Sequence, residues 1–316
     1  MTFLKFKKPI IALAPMAGYT HSAHRLICQK FGANLLYTEL ISANGLVYAK
    51  SKDSQCFQLA KFNNKERPIL IKIFGKDPKI MAQASKIIAD EFKPDGIDIN
   101  MGCPVKKEVK QGYGVALMKD LKLACQIIEQ AKCSVKIPVS VKTRLGYKSP
   151  DEIINFSQEL EKAGADMICI HGRTYQQLFS GPVHYEMIKK AKQKLKIPVI
   201  ANGGINAPEI AKQVLDFTQC DGIAIGQASL GRPWIFKQVR DYLETGRHAE
   251  FDLVKIKRIC LQYIHLFEKY NKNVNLFELK KNIIYYFKGM ANKKSLAEKI
   301  FKADNTDSLL RIIKIL

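Results

Sequence analysis

What this chain lacks narrows its class before any motif is read. Acid is scarce: 29 Asp and Glu stand against 51 Lys and Arg, a formal net charge of +22. That balance points to a polyanionic partner, a nucleic acid or an anionic surface. The plainer alternative is a generally lysine-rich protein with no such partner. No stretch approaches the roughly 20 consecutive apolar residues of a membrane span. The start, Met1 to Pro9, has neither a sustained apolar core nor a small-residue cleavage site, so no leader is expected. The eight cysteines (Cys28, Cys56, Cys103, Cys125, Cys133, Cys169, Cys220, Cys260) show no CxxC and no zinc-like spacing. Reduced thiols, a cytoplasmic location and no metal are therefore expected. No GxGxxG follows the first strand pattern, which argues against a Rossmann unit.

What is present is a regular alternation. With 316 residues and 47% hydrophobic content, the chain can bury a barrel-sized core and a smaller unit. Strand patterns fall at Ile10–Ala14, Leu35–Thr38, Ile69–Ile73, Gly96–Asn100, Val139–Thr143, Met167–His171, Val199–Asn202 and Gly222–Gly226. Helical patterns lie between them, at Lys79–Phe92, Leu121–Cys133, Pro150–Ala163, His184–Lys194 and Pro208–Phe217. Ser149 reads as the N-cap of the third, with Pro150 in its first turn. Gly164 reads as its stop. Eight strands at even spacing predict a (β/α)8 TIM barrel over residues 1–244, against the alternative of an open doubly wound sheet.

From Phe251 onward only helical periods remain. Ile256, Cys260, Tyr263, Phe267 and Tyr270 make one stripe; Leu276, Leu279, Ile283, Tyr286 and Met290 make another. Such stripes predict a small C-terminal helical bundle over residues 245–316. This tail carries 15 Lys and Arg against 7 Asp and Glu, about twice the charge density of the rest. Lys280, Lys281, Lys288, Lys293 and Lys294 fall off the stripes, with Tyr285 and Phe287 among them. Cations track phosphates and aromatics stack on bases, although a solvated face over core aromatics would look the same.

In a barrel the strand C-termini converge on one mouth. Here they supply Pro15, Met16 and Ala17 after the first strand, Glu39 at the second, and Lys72 at the third. Asn100 and Cys103 come from the fourth, Lys142 and Arg144 from the fifth, His171 and Arg173 from the sixth. Asn202, Gly203 and Gly204 end the seventh; Gly226 and Gln227 end the eighth. Glycines after the last two strands let backbone N–H groups approach a phosphate. A lysine and a thiol without a paired acid and base suggest cofactor chemistry. Lys142 beside a flavin N1–C2=O edge would stabilise the reduced ring. A thiol is mostly protonated at neutral pH and can give a proton.

Five motifs carry a family likeness: Ala14 to Thr20 (APMAGYT), Asn100 to Lys107 (NMGCPVKK), Val141 to Gly146 (VKTRLG), His171 to Thr174 (HGRT) and Gly231 to Phe236 (GRPWIF). Through them the chain resembles the tRNA-dihydrouridine synthases, most closely the bacterial B-type subgroup. The likeness runs from about Ile10 to Phe236, and the tail matches in length and character. It implies an FMN-dependent oxidoreductase that reduces the C5=C6 bond of uridine in tRNA, with NADPH or NADH as reductant. Hydride would pass from FMN to C6, and Cys103 would protonate C5. The implied cofactor contacts are Pro15, Met16, Ala17, Lys72, Asn100, Lys142, His171, Asn202, Gly203, Gly204, Gly226 and Gln227. Asn100, Arg144 and Arg173 would meet the substrate. The basic tail would grip tRNA while the uridine leaves its stack. A monomer without membrane contact is expected.

The chain departs from the family at Lys72, where Gln is usual, and at Gln227, where Arg is usual; a smaller departure is His21, where Asp is common. An ammonium cannot accept as an amide does. A missing arginine removes a charge-assisted phosphate bond, so weaker FMN retention is expected. Two other readings stay open: an FMN barrel acting on a free pyrimidine, and a tRNA-binding protein with weakened catalysis.

Overall fold

The computed structural model describes residues 8–270 and 275–316; the stretch Met1–Lys7, read above for a leader, lies outside them. Among the described residues eight strands form: β1 Ile10–Leu13, β2 Leu36–Ser42, β3 Ile69–Phe74, β4 Gly96–Met101, β5 Val139–Arg144, β6 Met167–His171, β7 Val199–Asn202 and β8 Gly222–Ile225. All neighbours are parallel, in the order β1-β8-β7-β6-β5-β4-β3-β2. A parallel bridge, Ala12 to Leu35, closes the ring between β1 and β2. The expected barrel is therefore what the chain forms.

Strand β2 runs four residues past its expected end at Thr38. A register shift between Tyr37 and Leu40 accommodates the polar Glu39 within it. The bulge lets the Glu39 carboxylate accept from the Gly18 N–H. The third helix starts later than expected, at Glu152, and Ser149 does not cap it. Instead the Glu152 carboxylate reaches back to the N–H groups of Tyr147, Lys148 and Ser149, at 2.7–2.9 Å. Its end behaves as expected, with Gly164 at φ +101.

Strand alternation splits the apolar residues into two sets. Ile168 and Ile170 face outward into the layer shared with the helices; Met167 and Cys169 face the barrel interior with Ile10, Leu35, Leu70 and Ile200. Toward the strand C-termini this interior becomes polar. The parallel register lays it out in rows: Lys72, Asp98 and Ser140; then Asn100, Lys142 and Cys169; then Arg144, His171, Asn202 and Ala224.

After the helix Ile235–Thr245, four more follow: Leu253–Tyr270, Leu276–Tyr286, Lys293–Lys302 and Thr306–Lys314. Cys260, Tyr263 and Phe267 from one stripe, and Leu279, Ile283 and Tyr286 from the other, are buried. They share the main core with Trp234 and Phe236. Contact with the barrel is direct. A Cβ placed on Gly231 (φ +65) would lie 2.0 Å from the Tyr285 carbonyl carbon, so only glycine fits. Among the described residues, no helix is long and apolar enough to cross a membrane.

Candidate active site at the barrel mouth

Cys103 sits half-buried just past the end of β4, where an active-site residue of a barrel is expected. Its backbone is pinned on both sides. The Cys103 carbonyl accepts from Val115 N at 3.2 Å. The Gly102 carbonyl accepts from Arg144 Nε at 3.0 Å. Arg144, expected from sequence at the substrate, is only 2% exposed and acts as a brace. Its Nη1 donates to the carbonyls of Thr174 (3.0 Å) and Leu178 (2.6 Å) in the loop after β6. Burial, above all, pulls Arg144 down to about 10, so it remains charged. Its guanidinium lies 5.2 Å from the ring centre of Phe179, which stands exposed at the tip of that loop. Arg173 joins the same loop, donating from Nε to the Gly181 carbonyl at 3.0 Å.

Beside the thiol loop, Asn100 is buried, and its Oδ1 accepts from Gly102 N at 3.4 Å. Lys142 donates to Asn202 Oδ1 at 2.8 Å, and Asn202 Nδ2 donates to the Ala224 carbonyl at 2.7 Å. Burial is the main cause lowering Lys142; Cys169 and Asp98 oppose the shift, and Lys72 and Arg144 add to it. His171 is pushed down to about 2, chiefly by burial and then by Lys142, Arg144 and Arg173. Its imidazole is therefore neutral at physiological pH. Its Nδ1 is buried with no hydrogen-bond partner among the described residues. A buried nitrogen left unpaired costs about 1–3 kcal/mol, which a ligand in the mouth would recover.

Lys72 does not offer its ammonium to the mouth as the sequence suggested. It is 2% exposed and ion-paired with Asp98, which faces it across β3 and β4. Asp98 Oδ1 also accepts from Ser140 Oγ at 2.6 Å. A buried lysine needs a carboxylate, and the register supplies one below the mouth rather than in it.

On the opposite wall side chains are small or absent. Gly203 has φ +105, and a Cβ there would lie 3.0 Å from the His171 ring. Tyr185 Oη donates to the Gly203 carbonyl at 2.6 Å, with Gly204 next in the turn. Gly226 lies against Ala14 and Met16. Pro15 and Met16 are half-buried and Ala17 is exposed; Gln227 is exposed on the short turn after β8. Sequence reading missed three residues here. Tyr185 braces Gly203, Ser229 donates to the Gly226 carbonyl at 2.8 Å, and His24 Nε2 meets Ser229 Oγ at 3.1 Å. Only proximity in the fold reveals them, since each lies off the strand ends.

The bundle reaches the rim. Lys281 Nζ lies 3.9 Å from the ring centre of Tyr19, and the hydroxyls of Tyr19 and Tyr285 are 3.3 Å apart. A cavity of about 270 Å³ there is lined by Lys281, Ile284, Tyr285, Lys288, Lys293 and Phe301. Phe287, expected on this basic face, is instead 1% exposed and belongs to the core. A larger cavity, of about 570 Å³ with Leu46, Phe57 and Ile87 in its lining, holds none of the expected site residues.

The chain is similar to known proteins along most of its length. The profile of the dihydrouridine synthase family matches residues 12–315. The "Probable tRNA-dihydrouridine synthase" of Aquifex aeolicus is 37% identical over 317 residues, covering 98% of this chain and 97% of that one. The "tRNA-dihydrouridine synthase B" of Shewanella oneidensis is 36% identical over 279 residues, covering 87% of this chain and 85% of its own. Among solved structures, the old yellow enzyme homologue from Zymomonas mobilis superposes with a TM-score of 0.56 at 12% identity, over 81% of this chain and 94% of that one. At that identity the likeness speaks for the fold alone.

Proposed function

Because the chain belongs to the dihydrouridine synthase family, we propose that it reduces uridine in tRNA, with Cys103 as the proton donor and the mouth as a flavin site. The observation that carries this reading is one mouth holding a half-buried thiol, a half-buried lysine and a neutral histidine with an orphaned nitrogen. Those residues fit FMN. Lys142 offers a cation, His171 Nδ1 an unmet hydrogen-bonding group, and the exposed Gly204 and half-buried Gly226 an approachable backbone near the last two strands. FMN, when bound, supplies the hydride for C6 of the uracil and takes it in turn from NADPH or NADH.

The remaining steps belong to the protein. Cys103 holds its proton on the loop braced by Arg144 and gives it to C5, then recovers one from water. Asn100 steadies the loop through Gly102 N and faces the same space. Arg144 and Arg173 keep the loop after β6 in place beside it. Residues 245–316 serve as the tRNA-gripping unit, with Lys281, Lys288 and Lys293 lining a cavity beside Tyr285. The uridine must leave its stack to reach the thiol. The test is to map dihydrouridine in tRNA from cells with and without this gene. Loss of dihydrouridine at defined positions is expected; an unchanged map would refute the reading.

A further inference from the structure

The Lys72–Asp98 pair lies one register row deeper than the row carrying Asn100 and Lys142. Both side chains are closed off from solvent, at 2% and 0% exposure. Asp98 is held further by the Ser140 hydroxyl. A buried pair gives little stability over well-packed apolar residues, so stability alone is a poor account of two charges here. Their surroundings suggest another. Lys142, Lys72, Asp98 and Cys169 lie close enough to influence one another through the barrel interior. Without Lys72, the Asp98 carboxylate would have Lys142 as a cation of the same interior to turn to.

We infer that Lys72 is the counter-ion that keeps Asp98 from neutralising Lys142, leaving the Lys142 charge to act on the group bound above it. Lys72 is then a positioning residue that works through Lys142 and need not touch the cofactor. The inference rests on the flavin reading of the mouth, and it puts the chain's departure at Lys72 to use in tuning electron affinity.

The test is a redox titration of the FMN-loaded protein against a reference dye, on wild type, Lys72→Gln, Asp98→Asn and the double variant. One buried charge acting over several ångströms should be felt strongly. Lys72→Gln is expected to shift the equilibrium about tenfold toward oxidised flavin, about 30 mV for a two-electron couple. Asp98→Asn is expected to shift it by a similar factor the other way, and the double variant to return close to wild type. Single variants that lose thermal stability while their potentials stay put would overturn the inference, leaving a merely structural pair. If Lys72→Gln does not fold, Lys72→Met takes its place, and the same tenfold shift toward oxidised flavin is required. A flavin-free arm separates the two readings. In ¹³C-lysine NMR of the stripped protein, the Lys142 titration should move up in Lys72→Gln and down in Asp98→Asn. An unmoved Lys142 overturns this inference, whereas failure to take up FMN overturns only the flavin reading.

Discussion

The two walls of the barrel mouth are built in opposite ways. On the β3–β5 side, long charged side chains turn inward, and each is tied to a named partner: Lys72 to Asp98, Arg144 to three carbonyls. On the β7, β8 and β1 side, Gly204 and Gly226 leave the backbone bare beside the buried Gly203 and Ala14, and bracing comes from behind through Tyr185, Ser229 and His24. In the proposed reaction the first wall would supply charge and a proton; the second would supply room and backbone N–H groups for an anion. The two walls join where Lys142 donates to Asn202, and substitutions away from that bond test each wall separately.

The largest effect should come from the charged wall. Cys103→Ala is expected to lower dihydrouridine formation by about 10²- to 10⁴-fold, the usual contribution of a positioned acid, with flavin content and tRNA binding retained. Single-turnover reduction of tRNA measures it, and a near-normal rate would assign the proton to another group. On the bare wall, Gly203→Val forces a branched residue to φ +105 and into the His171 ring. Backbone strain of about 1–3 kcal/mol is expected, and FMN retention after dialysis should fall at least tenfold while the tRNA affinity holds.

His24 tests the bracing behind that wall. Burial, helped by Arg25, lowers it to about 3, so the folded protein keeps it neutral while the unfolded chain protonates near 6.5. Its contribution is complete above the unfolded value and is lost as pH falls from about 6.5 toward 3. Between pH 6.5 and 5 this amounts to about 2 kcal/mol. Urea midpoints should show that slope in wild type and lose it in His24→Gln. The smallest effect lies outside both walls. Replacing Lys281 and Lys288 with Ala should weaken tRNA binding several-fold and reduce the salt slope by about 0.7–0.9 for each phosphate no longer neutralised. An unchanged slope would move the tRNA surface elsewhere.

The contrast between the walls also marks what a sequence reader can see. Strand periodicity and turn glycines are local, so all eight strands and the bundle stripes were legible, with boundaries off by a few residues at β2 and at the helix starting at Glu152. That Asn100, Cys103, Lys142, His171 and Asn202 meet at one mouth was legible because strand ends converge by topology. The direction of a long side chain was not. Lys72 turns to Asp98 because the β3–β4 register places them opposite each other, and Arg144 turns to carbonyls of a loop 30 or more residues away. Phe287 looked like part of a basic face, yet the turn ending its helix rotates it into the core. Braces such as His24 and Ser229, 205 residues apart, have no local signature at all.

The close seat of Gly231 against Tyr285 has a consequence for selectivity. With no side chain between them, the bundle cannot swivel freely on the barrel, and Lys281 resting on Tyr19 props the same joint from the other side. The joint then works as a fixed protractor. If the bundle grips tRNA as proposed, the angle at which the nucleic acid meets the mouth would decide which nucleotide comes within reach of the thiol. Choice of target would then be written in that tilt rather than in any residue that reads a base.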